Sequence, residues 1–173
     1  MPLTIRRREL LLGAGAAAGL ATVGMPGIAR AEAASHTVQM LNVHPENKRL
    51  RQVFFPRIQV ISPGDTVVFE ATDRGHNSAV IDGMIPEGTE GWDGKIGDEV
   101  SVTLDQPGLY GYKCTPHASV GMVGLVIVRG EGALDNLEAA QDVRQRGKAK
   151  SAWEEIWEEV AAMEDLTSAE PAA

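Results

Sequence analysis

The sequence predicts a mainly β fold: a β-sandwich followed by two α-helices at its C-terminal end. After the first 31 residues, short apolar runs alternate with turn residues, the pattern of a β-sandwich. Beyond residue 131 the apolar period changes to that of a helix. The chain is 173 residues long and 43 % hydrophobic, enough for one ordinary core with some length to spare at the ends.

The spare length at the front reads as an export signal over residues 1–31. Arg6, Arg7 and Arg8 precede an uncharged stretch from Leu10 to Ile28, and Ala29 and Ala31 form an A-x-A pattern with a cut expected after Ala31. Adjacent arginines followed by Leu10 and Leu11 are similar to a twin-arginine signal. The competing reading is a membrane anchor, since 10–28 is just long enough to span. Its five Gly, five Ala and Pro26 make it weakly apolar for that purpose.

The sandwich is expected over residues 32–130. Its strands are read from "HTVQMLNV", "QVFFPRIQVI", "TVVFEA", "EVSVTL", "LYGYKC" and "MVGLVIV". Pro56 interrupts the second run and marks a bulge or an edge position. "SPGD" at 62–65 and "QPG" at 106–108 are turns, and "DRGHN" at 73–77 is a loop. A helical extension over 131–165 is expected to pack on the sandwich. "ALDNLEAAQDV" places Leu134, Leu137 and Ala140 on one face, with Gly147 able to end that helix. "SAWEEIWEEVAAM" sets Trp153, Ile156, Trp157 and Val160 at i, i+3, i+4 and i+7, with glutamates elsewhere on the wheel. Ser151 and Glu154 have capping-box spacing. Residues 166–173 are expected to be a disordered tail.

Charge narrows the function. The formal net charge is −8, and a nucleic-acid binder would carry a basic face. Without residues 1–31 the chain has 12 basic and 23 acidic residues, a net of −11. Residues 131–173 alone hold −7 of that. No membrane insertion is expected once the signal is removed.

One cysteine in an exported chain cannot form an internal disulfide, and its thiol is a liability unless something occupies it. That residue, Cys114, lies in "PGLYGYKCTPHASVGM" with His117 three residues on and Met122 five beyond that. Thiolate and thioether are soft donors, and imidazole suits copper. Two His, one Cys and a weak axial Met make a blue-copper electron-transfer centre. The second imidazole must come from elsewhere: His36, His44 or His76. His76 is the choice, because it follows the strand "TVVFEA" and Asn77 beside it can bond the neighbouring loop. His36 and His44 are then expected to be plain surface residues. The ligand set read from the chain is His76, Cys114, His117 and Met122, for one copper ion.

The stretches "DRGHN", "IPEG" at 85–88 and "PGLYGYKCTPHASVGMVGLVIV" resemble the cupredoxins, the small blue copper proteins. The C-x2-H-x4-M spacing is similar to that of plastocyanins, and differs from the longer azurin loop and the shorter amicyanin one. Two tail helices and Lys113 before the cysteine point to the pseudoazurin branch, over about residues 37–165. The resemblance implies a Greek-key sandwich of about eight strands with two C-terminal helices, the same four ligands, and Asn77 bracing the loop near Thr115. It also implies a monomeric periplasmic carrier. Its redox partners would be an acceptor such as copper nitrite reductase and a cytochrome c-type donor. One departure is visible: "EGTEGWDGKIGDE" has only Lys95 and is acidic overall, where that branch usually carries many lysines.

Two other functions weigh less. An oxidase or reductase needs further metal sites, and only His36 and His44 remain to build them, so no enzyme is expected. Periplasmic copper storage or delivery would favour an exposed Met- or His-rich tract, and the methionines here are scattered.

Overall fold

A computed structural model describes residues 33–168. The export signal expected over 1–31 and the last five residues lie outside that range. No helix among the described residues is long and apolar enough to cross a membrane.

Eight strands form two four-stranded sheets. In chain order they are β1 (Ser35–Val43), β2 (Arg51–Phe55), β3 (Ile58–Ile61), β4 (Asp65–Glu70), β5 (Ala79–Val80), β6 (Val100–Leu104), β7 (Gly108–Lys113) and β8 (Val123–Val128). One sheet runs β2-β1-β4-β6 and the other β3-β8-β7-β5. β1 pairs parallel with β4 and β3 parallel with β8, while the remaining pairs are antiparallel.

Alternation along the strands builds the core between the sheets. Val38, Met40, Phe54, Val67 and Phe69 face Tyr110, Tyr112, Val126 and Val128 within one cluster. "VGLVIV" lacks alternation because β8 is buried on both faces, the usual reason for a continuous apolar strand. Val126 and Val128 point into the sandwich; Val123, Leu125 and Ile127 point outward, into a second cluster. That cluster is closed by α1 (Leu137–Asp142) and α2 (Ala149–Ala161), through Ala140, Ala149, Trp153, Ile156 and Val160. Trp153 can approach the sheet closely because Gly111 has no side chain: a Cβ there would stand 3.1 Å from the Trp153 ring and 2.9 Å from Met84. Arg57, at the corner between β2 and β3, ties α2 down through Glu155 at 2.8 Å and also through Glu159.

Several expectations change. Pro56 is no bulge but does lie at an edge: the chain leaves β2, the edge strand of one sheet, and enters β3, the edge strand of the other, and proline has no N–H to continue the ladder. The first helix is shorter than its pattern. Asn136 is occupied elsewhere, its amide bonding both Leu109 N and Leu109 O at 3.0 and 2.8 Å in place of a cap. Gly147 does not end that helix. It sits just ahead of α2 at φ +61°, and a Cβ there would come within 2.4 Å of the Ser119 carbonyl. Ser151 is not a cap: it lies inside α2 and its hydroxyl donates to Lys148 O at 3.1 Å. The chain also stays packed beyond 165, for Leu166 is buried and its carbonyl accepts Gly130 N–H at 3.1 Å.

Candidate metal centre

β7 delivers Cys114 and β8 begins one residue after Met122, so the seven residues between them form a closed loop at one end of the sandwich. Backbone bonds fasten it. Cys114 N–H donates to Met122 O at 3.0 Å, His117 N–H to Cys114 O at 3.0 Å, and Met122 N–H to His117 O at 3.2 Å. The loop turns through a single 3-10 turn, Ala118–Val120, and leaves it at Gly121 with φ +101°, a backbone state glycine adopts without strain. From outside, Lys148 N–H at the start of α2 donates to Ser119 O at 2.9 Å.

The second imidazole arrives on the loop after β4. His76 is fully buried, and its carbonyl accepts Gly97 N–H at 2.8 Å. Asn77 joins this loop to the cysteine loop. Its carbonyl accepts Thr115 N–H at 2.7 Å, and its amide donates to Thr115 Oγ1 at 3.0 Å and to Gly94 O at 2.9 Å. This is the bracing role the resemblance implied.

His76, Cys114 and His117 thereby converge, with their ligand atoms all within 4.8 Å of one another. Cys114 Sγ stands 3.6 Å from His76 Nδ1 and 3.3 Å from His117 Nδ1. The two rings lie 4.9 Å apart between centroids. Met122 is fully buried in the same core cluster as Cys114. Among the described residues no carboxylate joins this group.

The ring of His76 has its orientation fixed. Nε2 lies 3.1 Å from Asn42 Oδ1, which can only accept, so Nε2 carries the proton and Nδ1 keeps its lone pair toward the thiol. Sequence reasoning missed Asn42: a lone Asn in a strand 34 residues away gives no local signal. Burial pushes the His76 imidazole below its usual range, helped by His117 and opposed by Asp73. Burial also pushes the Cys114 thiol up, against the backbone N–H groups of Asn77 and His117.

These donors fit copper. Two ligands about 2.1–2.3 Å from one ion and about 120° apart stand roughly 3.7 Å from each other, close to the separations of 3.3 and 3.6 Å seen here. A soft thiolate between two imidazoles is the donor set that copper favours.

The remaining histidines are not bare surface residues. His36 pairs with Asp65 at 3.0 Å. His44 packs edge-on against Phe55 at 5.0 Å and accepts the N–H groups of Glu46 and Asn47, each at 3.1 Å. Both are half-buried against these partners.

Comparison with known proteins agrees with this geometry. The family profile of copper-binding proteins of the plastocyanin/azurin family matches residues 38–129. A pseudoazurin of Paracoccus pantotrophus is 42 % identical over 137 residues, which is 79 % of this chain and 88 % of the relative. A solved pseudoazurin from Sinorhizobium superposes with a TM-score of 0.69 at 44 % identity, covering 75 % of this chain and 98 % of that one. The pseudoazurin of Methylobacterium extorquens AM1 gives 0.67 at 36 % identity, covering 73 % and 98 %. The chain therefore belongs to the plastocyanin/azurin family of copper-binding proteins and, within it, to the pseudoazurins, blue copper electron carriers rather than enzymes.

Proposed function

We propose that the chain is a periplasmic, monomeric one-electron carrier, in which His76 Nδ1, Cys114 Sγ, His117 Nδ1 and Met122 would hold one copper ion. The observation that carries this reading is the convergence of three donors at 3.3 and 3.6 Å spacing in a buried pocket. Copper bound there supplies cycling between Cu(II) and Cu(I). The chain's own residues supply a cage set by hydrogen bonds that do not involve the metal. Asn42 fixes one ring, Asn77 and α2 fix the loop, and little has to move when the charge changes. Rigid placement of this kind keeps the cost of reorganisation low. The N-terminal segment serves as the export signal, the sandwich as the carrier and the helices as its outer cover.

The electron passes through His117. It is half-buried while His76, Cys114 and Met122 are enclosed, so its ring edge is the shortest way out. Three large hydrophobic residues, Leu50, Ile96 and Val120, are exposed among the described residues. Leu50 and Val120 line one groove, and Ile96 adjoins Gly97, which bonds His76. A small apolar patch lets two redox proteins approach closely without holding them. Basic residues Lys48, Arg74, Lys95 and Lys113 would steer an acidic partner toward it. The family resemblance points to a nitrite reductase-like acceptor and a cytochrome c-type donor.

Stopped-flow mixing of the copper-loaded chain with a reduced c-type cytochrome tests this. One electron per chain is expected. Ala118→Asp is expected to slow transfer at every salt concentration, because it puts a charge in the dry contact. Lys113→Glu is expected to slow it only at low salt with an acidic partner, since surface charges are screened over ~8 Å at physiological ionic strength. Wild-type rates in both variants, with spectra unchanged, would put the exit on another face.

A further inference from the structure

The first ordered stretch of chain is held by a buried carboxylate. Asp65, 6 % exposed at the start of β4, accepts the backbone N–H of Ala34 at 2.7 Å and of Ser62 at 2.9 Å, and faces His36 Nε2 at 3.0 Å. The strand ladder starts at the same point: Thr66 N–H donates to Ala34 O at 2.8 Å, and Ser35 is the first residue of β1. Ala33, one residue earlier, is exposed and makes no hydrogen bond to the described residues.

The sequence here, "ARAEAASH", contains two overlapping A-x-A signals, Ala29-x-Ala31 and Ala31-x-Ala33. We propose that processing uses the second, between Ala33 and Ala34, and that the α-ammonium it creates becomes the counter-ion of Asp65. The inference rests on the reading of the N-terminal residues as an export signal. Hydrolysis adds one water across the Ala33–Ala34 amide. The released leader ends in the carboxylate of Ala33, and the nitrogen of Ala34 becomes a primary amine, protonated below about pH 8.

Charge separates the two cuts. Neutral N–H groups offset part of the hydration a carboxylate loses on burial, and an opposite charge at hydrogen-bond distance offsets more. His36 is the only basic side chain on Asp65 among the described residues. An ammonium on Ala34 would stand where an uncharged N–H now stands, 2.7 Å from Oδ1. A cut after Ala31 would leave two residues ahead of Ala34. It would move the ammonium up to about 7 Å further along the chain and keep the carboxylate of Glu32 within two residues of the clamp.

Two measurements test the proposal. The full chain is expressed in a Gram-negative host, and the intact mass of the periplasmic product is read. A mass beginning at Ala34 is expected. A mass beginning at Glu32 would overturn the proposal and leave the export reading standing; an unprocessed chain held in the cytoplasm would overturn both. Chains beginning at Ala34 and at Glu32, each released from a fusion, are then melted with and without Asp65→Asn. The shorter chain is expected to melt several degrees higher, and Asp65→Asn is expected to erase that difference. Equal melting points, or a difference that survives Asp65→Asn, would refute the ion pair.

Discussion

Asn77→Ala removes the tie between the two ligand-bearing loops. The side chain makes three hydrogen bonds, at 2.7, 2.9 and 3.0 Å, to Thr115 N, Gly94 O and Thr115 Oγ1. Asn77 is only 3 % exposed. Each such bond contributes about 1 kcal/mol net, and an enclosed partner left unpaired costs about 1–3 kcal/mol instead. Thr115 is exposed and water can reach it, whereas the Gly94 carbonyl is half-enclosed. The loss is therefore expected at about 3 kcal/mol, which in a domain of this size lowers the melting temperature by roughly 10 °C. Urea denaturation of the copper-free protein is the assay, because bound metal would add its own stabilisation to the folded state. Thr115→Val is the control. It keeps the N–H bond to Asn77 Oδ1 and loses only the hydroxyl, so about 1 kcal/mol is expected. In the double variant the two losses should fall short of additive, since both remove one shared bond. A loss below about 1 kcal/mol for Asn77→Ala would show that the loops are held by other contacts, and the preformed-cage argument would fail.

Met122→Leu is expected to keep copper and the blue colour while raising the reduction potential, since losing the axial donor disfavours Cu(II); a lowered potential in voltammetry would count against the axial role. Trp153→Ala is expected to cost about 3–5 kcal/mol in chemical denaturation. Trp157→Ala should cost less, because Trp157 is half-buried, and neither should change the visible spectrum; slower partner turnover at unchanged stability would instead make the helix a docking surface. Burial raises the Asp65 carboxyl, but the N–H groups of Ala34 and Ser62 and the His36 ring outweigh it and hold its pKa below the usual range. The stability it contributes is present above the unfolded carboxylate pKa and is lost as pH falls through the depressed folded value. Asp65→Asn should flatten that acid arm of a stability-against-pH curve, and an unchanged arm would contradict the assignment.

The ligand loop was legible because its chemistry is local: Cys114, His117 and Met122 fall within nine residues, and few roles suit a thiolate beside an imidazole. His76 was legible only through its setting after a strand. The strands were legible wherever one face is buried and the other is not, and β8 by its unbroken apolar run. What escaped the sequence depends on partners distant in the chain. Pro56 as a crossing between sheets depends on β8, some 70 residues on. The anchoring of α2 depends on Arg57, and Asn42 becomes meaningful only when the fold sets it against His76. His36 and His44 look like spare polar residues until Asp65 and Phe55 are placed beside them.

The central claim is that Cys114, as a thiolate between two imidazoles, holds one copper ion. The visible spectrum of the oxidised, copper-loaded protein tests it most directly, read during stoichiometric titration and repeated on Cys114→Ser. An intense blue colour is expected that saturates at one copper per chain and is absent in the serine variant. A colourless wild-type protein, or a variant that stays blue, would contradict it.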